Sequence, residues 1–395
     1  MNSRYGVLFL CLFLLFFGCT VSVEKPQLPL VPILPRDYPL FADDLDRKLL
    51  EPAVLRSLEY FDRLPEDRLC RFGNVDYSVA ELKESLLVFL DIIRYSGSAE
   101  AFRKRIEELF DIYQSVGSDG VGGVLFTGYY APVLDGSREE TEEYRYPVYK
   151  TPDDHIVVNL EVFREKYAGE RIIARYEDGK ILPYYTREEI DTARRLMGRG
   201  LEIAWLADPV DLFFLHIQGS GVVRLQDGSY IQISYDQANG HPYRSVGRLL
   251  IDRGKISAEN MSLKSIKRYL REHPEEMSDI LNHNESYVFF RIVEDGPVGS
   301  LNVPVTEGRS IATDSSLFPK GVLAFIQTKK PVITEDGSIA AWEPFSRFVL
   351  NQDTGGAIKG PGRVDLFCGN GHVAGIMAGH MKEKGKLYFL VKKRK

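Results

Sequence analysis

The sequence predicts a mainly β fold with peripheral helices, arranged as barrels and not as a doubly wound sheet. Two observations lead there. From Gly122 onward, short β-branched and aromatic runs alternate with Gly, Asp and Pro turns. Before that point the apolar residues recur at helical spacing, and no internal repeat is evident. At 395 residues the chain has room for two domains of ordinary size. Its 44% hydrophobic and 27% charged residues, with a mean hydropathy of -0.18, describe a protein able to bury real cores. A net charge of -6 argues against a nucleic-acid partner, which needs a basic field to displace phosphate counterions. The basic end Lys392–Lys395 reads as a solvated tail.

The first element is an apolar run from Val7 to Gly18, preceded by Arg4. It is too short to span a bilayer comfortably and reads as a secretory signal, residues 1–18. Cys19 directly follows a small residue, which resembles a bacterial lipoprotein cleavage site and predicts a lipid anchor there. Residues 19–40 then hold Pro26, Pro29, Pro32, Pro35 and Pro39, a spacing that favours extended polyproline geometry and predicts a tether.

Two helical stripes come next. In one, Ser78 and Glu81 form a capping box ahead of Val79, Leu82, Leu86, Phe89, Leu90 and Ile93; in the other, Phe102, Ile106, Leu109, Phe110 and Tyr113 share a face. Strands are predicted around 123–126, 156–158, 287–293, 322–326, 347–350 and 387–391, with helices starting at the Thr186–Glu189 box and over 262–273. Cys70 and Cys368 permit either a clasp between the chain's ends or two isolated small hydrophobes.

Three clusters carry possible chemistry. The densest runs from Asn351 to Asp365 and contains Asp353-Thr354-Gly355-Gly356 and Arg363-Val364-Asp365. A tight turn capped by Asp353 accounts for that aspartate and the glycines. It gives no reason for Asp365, which lies among apolar neighbours beside an arginine, the setting of a carboxyl with a tuned pKa. Asp314, in the Gly308–Asp314 segment, offers a third aspartate.

In the second cluster, Phe213 to Gly221 is predicted as a strand ending in a polar turn. Gln218, Ser220 and the amides of Gly219 and Gly221 can bond sugar hydroxyls or acetamido groups, or simply form a turn. The third cluster, Thr127-Gly128-Tyr129-Tyr130, leads towards Tyr144, Tyr146 and Tyr149, which can stack on sugar rings or occupy an ordinary strand surface. His241–Ser245 can add cationic contacts or form a satisfied turn. Scattered histidines, the lack of H-E-x-x-H and the absence of nucleotide loops predict neither a metal nor another cofactor.

Together and in this order, Thr127-Gly128-Tyr129-Tyr130, Gln218-Gly219-Ser220-Gly221, Gly240–Ser245 and Asp353–Gly360 resemble the membrane-bound lytic murein transglycosylase A family. The C-terminal stretch resembles the three-aspartate (3D) cell-wall domain, about 295–391, with Asp314, Asp353 and Asp365 as its aspartates. The resemblance implies a double-psi β-barrel formed by 41–130 and 251–395, with a second β-rich domain, 131–250, inserted and lining a glycan groove. It implies a peptidoglycan lytic exotransglycosylase, a carbon–oxygen lyase acting on polysaccharide, that cuts the MurNAc-β-1,4-GlcNAc bond and leaves 1,6-anhydroMurNAc ends.

In this family the aspartate matching Asp365 serves as single acid and base. The resemblance further implies saccharide contacts from Thr127, Gly128, Tyr129, Gln218, Gly219, Ser220 and Gly221, and support from Asp353, Asp314 and Lys359. The partners implied are glycan strands and, through Cys19, the periplasmic face of the outer membrane; partners among cell-wall synthesis or division proteins are unassigned. Two rivals remain at this stage: an aspartic protease, because Asp353-Thr354-Gly355 is a D-T-G, and a non-catalytic wall-binding lipoprotein.

Overall fold

The computed structural model describes residues 28–46 and 49–394, so the predicted signal, the anchor Cys19 and the start of the tether lie outside the described residues. The chain begins with β1 (Leu30–Pro32), α1 (Leu50–Phe61), β2 (Leu69–Phe72), β3 (Val75–Ser78), α2 (Val79–Tyr95), α3 (Ala99–Leu109), β4 (Phe110–Ser115) and β5 (Val124–Ala131). The middle part runs through β6 (Val133–Ser137), β7 (Tyr146–Tyr149), β8 (His155–Asn159), β9 (Arg171–Glu177), β10 (Lys180–Pro183), β11 (Glu202–Leu206), α4 (Pro209–Gln218), β12 (Ser220–Leu225) and β13 (Tyr230–Ala238). It continues with α5 (Val246–Asp252), α6 (Leu263–Glu272), α7 (Pro274–Asn282) and β14 (Val288–Val293). The last part holds β15 (Ser310–Ala312), β16 (Leu323–Ile333), β17 (Ile339–Asp353), β18 (Arg363–Asn370), α8 (Gly371–His380) and β19 (Lys382–Lys392).

Strands β19, β16, β17, β15, β18 and β5 form a ring, closed because β5 also pairs with β19. Two parallel pairs, β15 with β17 and β18 with β5, sit inside an otherwise antiparallel order, giving the double-psi barrel expected. One long strand makes closure possible. Residues 382–385 of β19 meet β5, while residues 388–392 of the same strand carry β4. The barrel is filled by alternate residues such as Phe126, Ile311, Phe325, Val364, Leu366 and Phe389, all buried.

Helices α1 to α3 cover the outside of this core. The Ser78–Glu81 capping box starts α2 as predicted, with Glu81 N–H donating to Ser78 Oγ at 3.2 Å and Ser78 N–H to Glu81 Oε2 at 2.7 Å. Phe348 of β17 meets Phe89 and Phe102 from these helices at centroid distances of 5.2 and 5.4 Å. The second helical stripe is shorter than predicted. Phe110 and Tyr113 are buried from opposite faces of β4, Phe110 against Phe89 and Tyr113 against Phe72 and Tyr77.

The described part of the predicted tether is docked. Leu30 is fully buried, and β1 adds to the free edge of β4, a place where Pro32 costs no ladder hydrogen bond to a further strand. Further along, Asp43 pairs with the fully buried Arg309 at 2.6 Å, and Asp44 pairs with Arg347 at 2.8 Å.

The chain leaves the barrel after β5 and returns at β15. Between them, β14-β13-β12-β6-β11-β7 form one sheet whose outer strands are joined by a bridge between Lys150 and Phe290. Residues 251–293, predicted with the barrel domain, lie with this second unit. There β14 pairs with β13, and α5 to α7 pack on α4 through Leu250, Leu270 and Ile280. A separate three-stranded sheet, β8-β9-β10, extends from it. The Thr186–Glu189 box caps only a single wide turn, Glu188–Thr192. Among the described residues no helix is long and apolar enough to cross a membrane.

Because removing one member of a buried pair leaves the other charge unmatched, Asp43→Ala should cost about 3–5 kcal/mol. Urea unfolding monitored by circular dichroism checks this; a loss below about 1 kcal/mol would show that Arg309 finds other partners.

Candidate functional site

Backbone register builds the site. Asp365 on β18 lies opposite Ala312 on β15 and Thr127 on β5, while Asp353 at the end of β17 faces the other side of Ala312. Asp353, Ala312, Asp365 and Thr127 therefore form one row across four strands. At ordinary strand spacing the two aspartate backbones are about 10 Å apart.

The three aspartates have different fates. Asp314 is buried, yet its carboxyl is held below the usual range: burial opposes ionisation, but the amides of Gly360 (2.8 Å) and Ser316 (3.1 Å) and the Ser316 hydroxyl (2.7 Å) outweigh it. It ties the 355–361 loop to the barrel. Lys359 on that loop is exposed and acts on Asp314 only through its charge. Asp353 accepts from the amides of Ser300 (2.9 Å) and Thr354 (2.8 Å) and from the Tyr129 hydroxyl (2.9 Å). Burial is the stronger influence and raises its pKa.

Asp365 has no such donors. Its Oδ1 is buried without a partner among the described residues, and the neighbouring Thr127 Oγ1 is in the same state. Burial pushes Asp365 up to about 6; Arg363 pulls it down and Asp353 adds to the rise.

Two cavities meet beside this row. One, of about 320 Å³, is walled by Tyr129, Asp353, Gln218, Gly219, Ser220 and His216, among others. The other, of about 820 Å³, includes Thr127, Gly128, Arg363, Gln218 and Tyr243. Gln218 and Tyr243 belong to both, so the two cavities form one groove between the barrel and the second unit.

The Phe213–Gln218 segment differs from the strand predicted. It is the helix α4, begun by Asp208, whose Oδ1 accepts from Val210 N–H at 2.7 Å, with Pro209 at the first position. Gly219 ends it with φ +74°, a conformation that suits glycine and directs the chain into β12. A local Asp-Pro start and a glycine stop outweighed the run of β-prone aromatics. At its end, Gln218 Oε1 accepts from Tyr130 N–H at 3.1 Å and fastens the second unit to β5. Two residues earlier, buried His216 turns Nδ1 to the Arg187 guanidinium at 3.0 Å; burial first, then that cation, hold the ring neutral.

Not every predicted residue reaches the groove. Gly221 is buried where a Cβ would stand 2.7 Å from Leu215, so it serves the packing of α4 on β12. Tyr144 and Tyr149 are core residues of the second unit and cannot stack on a ligand. Arg244 is paired with Glu285 at 2.9 Å. Cys70 and Cys368 are both free. Gly128 is required by space: a Cβ there would meet Cys368 Sγ at 2.7 Å and the α8 backbone at Ala378 at 2.8 Å. The sequence reading missed Ser300, whose amide holds Asp353, and the groove role of Tyr243; Pro297–Ser300 reads as an ordinary turn, and Tyr243 was visible only inside its motif.

Two family descriptions match this sequence: the MltA specific insert domain over residues 125–291 and the 3D domain over 309–391. Membrane-bound lytic murein transglycosylase A of Escherichia coli K12 is 34% identical over 283 residues, covering 71% of this chain and 69% of that protein. The Vibrio cholerae protein of the same name is 33% identical over 277 residues, covering 69% and 67%. Among solved structures, a membrane-bound lytic murein transglycosylase from Agrobacterium tumefaciens aligns with TM-score 0.76 and 31% identity over 92% of this chain and 97% of that one. E. coli MltA with bound chitohexaose aligns with TM-score 0.71 and 25% identity over 93% and 96%.

Because the Asp365 pKa is raised from 3.8 to about 6, the protonated form's contribution to stability is complete below 3.8 and is lost as pH rises through 6. Relative to wild type, Asp365→Asn should therefore gain stability between pH 4 and 7, levelling above, by at most about 3 kcal/mol. Thermal melts of both proteins across that range check the sign; a constant difference would contradict it.

Proposed function

Since the chain belongs to the membrane-bound lytic murein transglycosylase A family, we propose that it is a peptidoglycan lyase in which Asp365 alone serves as acid and then as base. The observation that carries this reading is the contrast between the two aspartates of the row beside the groove. Asp353 already accepts three hydrogen bonds and is committed to holding the loop and Tyr129 in place. Asp365 has no hydrogen-bond partner among the described residues and is pushed up to about 6, so a useful fraction carries a proton near neutral pH.

A hydrolase of the usual kind needs a second free carboxylate to attack or to activate water. A lyase does not. Asp365 gives its proton to the oxygen of the MurNAc-GlcNAc bond as that bond breaks; the C6 hydroxyl of the same muramic sugar attacks the anomeric carbon. That hydroxyl's proton passes to Asp365, which restores the acid and leaves a 1,6-anhydro sugar. Thr127 Oγ1, without a partner among the described residues, is free to bond sugar beside Asp365. Gln218 and Ser220, from the second unit, line the smaller cavity. The chitohexaose complex of the E. coli relative supports a glycan occupant for such a groove.

For location, the relatives are named membrane-bound. With the Cys19 signal this supports a lipid-anchored enzyme at the periplasmic face of the outer membrane.

Asp365→Asn should bind chitohexaose as wild type does and lose turnover of purified peptidoglycan by about 10²–10⁴-fold. In wild type, kcat/KM should fall as pH rises past about 6, because the acid form is consumed. Mass spectrometry of the products decides the reaction: anhydro ends support the lyase, and reducing ends would sink it.

A further inference from the structure

Arg363 lies two residues before Asp365 on β18, so strand alternation directs both side chains to the same face. It forms part of the larger cavity's wall, with Thr127, Gln218 and Tyr243. No hydrogen bond or ion pair holds its guanidinium among the described residues, and its Nε is buried without an acceptor. Other buried arginines have their terminal N–H groups engaged: Arg309 by Asp43 (its Nε alone, like that of Arg363, lacks an acceptor), Arg347 by Asp44, and Arg187 by the carbonyls of Asn284 and Ser286. An unpaired guanidinium in a groove wall is a receptor for a planar anion, because its parallel N–H groups match a carboxylate.

We propose that Arg363 binds a carboxylate carried by the muramic sugar, and so selects substrate within the groove. The inference rests on the glycan-cleaving reading above. That carboxylate has two sources, the free lactyl group of a strand stripped of peptide or an acidic group of an attached stem peptide, and both present the same chemistry to the guanidinium.

The pairing also acts on catalysis. The groups facing Asp365 are Arg363 and Cys368 on its own strand, Asp353 from β17, and Thr127 and Tyr129 from β5, with Lys382 of β19 opposite Thr127. Arg363 is the cation that favours the ionised, inactive form. A substrate carboxylate on Arg363 cancels that field, and bound Asp365 then keeps its proton to higher pH. Substrate thus helps to load its own acid, with no change in the bonds made or broken.

The test uses four ligands: stripped strands with free lactyl carboxylates, the same strands converted to methylamides, peptide-bearing strands, and chitohexaose, which has no carboxylate. Binding is measured on an Asp365→Asn background with and without Arg363→Gln. The kcat pH profile is measured for wild type and Arg363→Gln alone. We expect Arg363→Gln to weaken carboxylate-bearing strands about tenfold and to leave chitohexaose within about twofold. In wild type the falling limb of kcat should lie at higher pH with the carboxylate form than with the methylamide, and this difference should vanish in Arg363→Gln.

A response to stripped strands assigns the lactyl group, and a response to peptide-bearing strands alone assigns the stem peptide. Equal weakening of all four ligands would overturn the proposal. Absent turnover by wild type would instead refute the reaction proposed above, and the binding comparison would still decide Arg363.

Discussion

The register across Ala312 is the constraint on which the site depends. This small, buried residue sits in a three-residue strand between β17, which runs parallel to it, and β18, which runs antiparallel. Its two edges bring Asp353 and Asp365 into one row with only a methyl group between them. The neighbours Val364 and Leu366 are fully buried in the barrel, so a slip of one residue on β18 would drive Asp365 inward and expose an aliphatic side chain. Core packing thereby fixes the position of the chemistry.

Within that frame, hydrogen bonds decide what burial does to each carboxyl. Asp314 receives enough donors to stay ionised despite being buried. Asp353 receives three and is still raised. Asp365 receives none from the described residues and is raised to about 6. The same side chain thus becomes a loop anchor, an organiser of Tyr129 or a carboxyl with a raised pKa, according to how many N–H and O–H groups the fold points at it.

The second unit contributes through one helix end. Asp208 and Gly219 fix where α4 begins and stops, and that stop delivers Gln218 to Tyr130 and to both halves of the groove. Beneath it the neutral His216 and Arg187 form a rigid floor, tied to the 284–286 backbone. The groove therefore depends on contacts between residues some 90 positions apart in sequence, Tyr130 and Gln218 among them.

The sequence alone determined the mainly β character after Gly122, the α2 capping box, the order of the three motifs and Asp365 as the unusual aspartate, because turn chemistry, caps and apolar alternation are local. Local signals also misled in particular places. Phe213–Gln218 looked like a strand from its aromatics, Tyr149 looked available for stacking, and the proline run looked like a free tether; the deciding facts were a distant partner edge, a distant core or a cap outside the motif. Only the tertiary structure assigned the second unit residues up to β14, left Arg363 without a partner among the described residues and balanced the field at Asp365. Burial and charge depend on neighbours brought together through space, and no stretch of chain encodes them by itself.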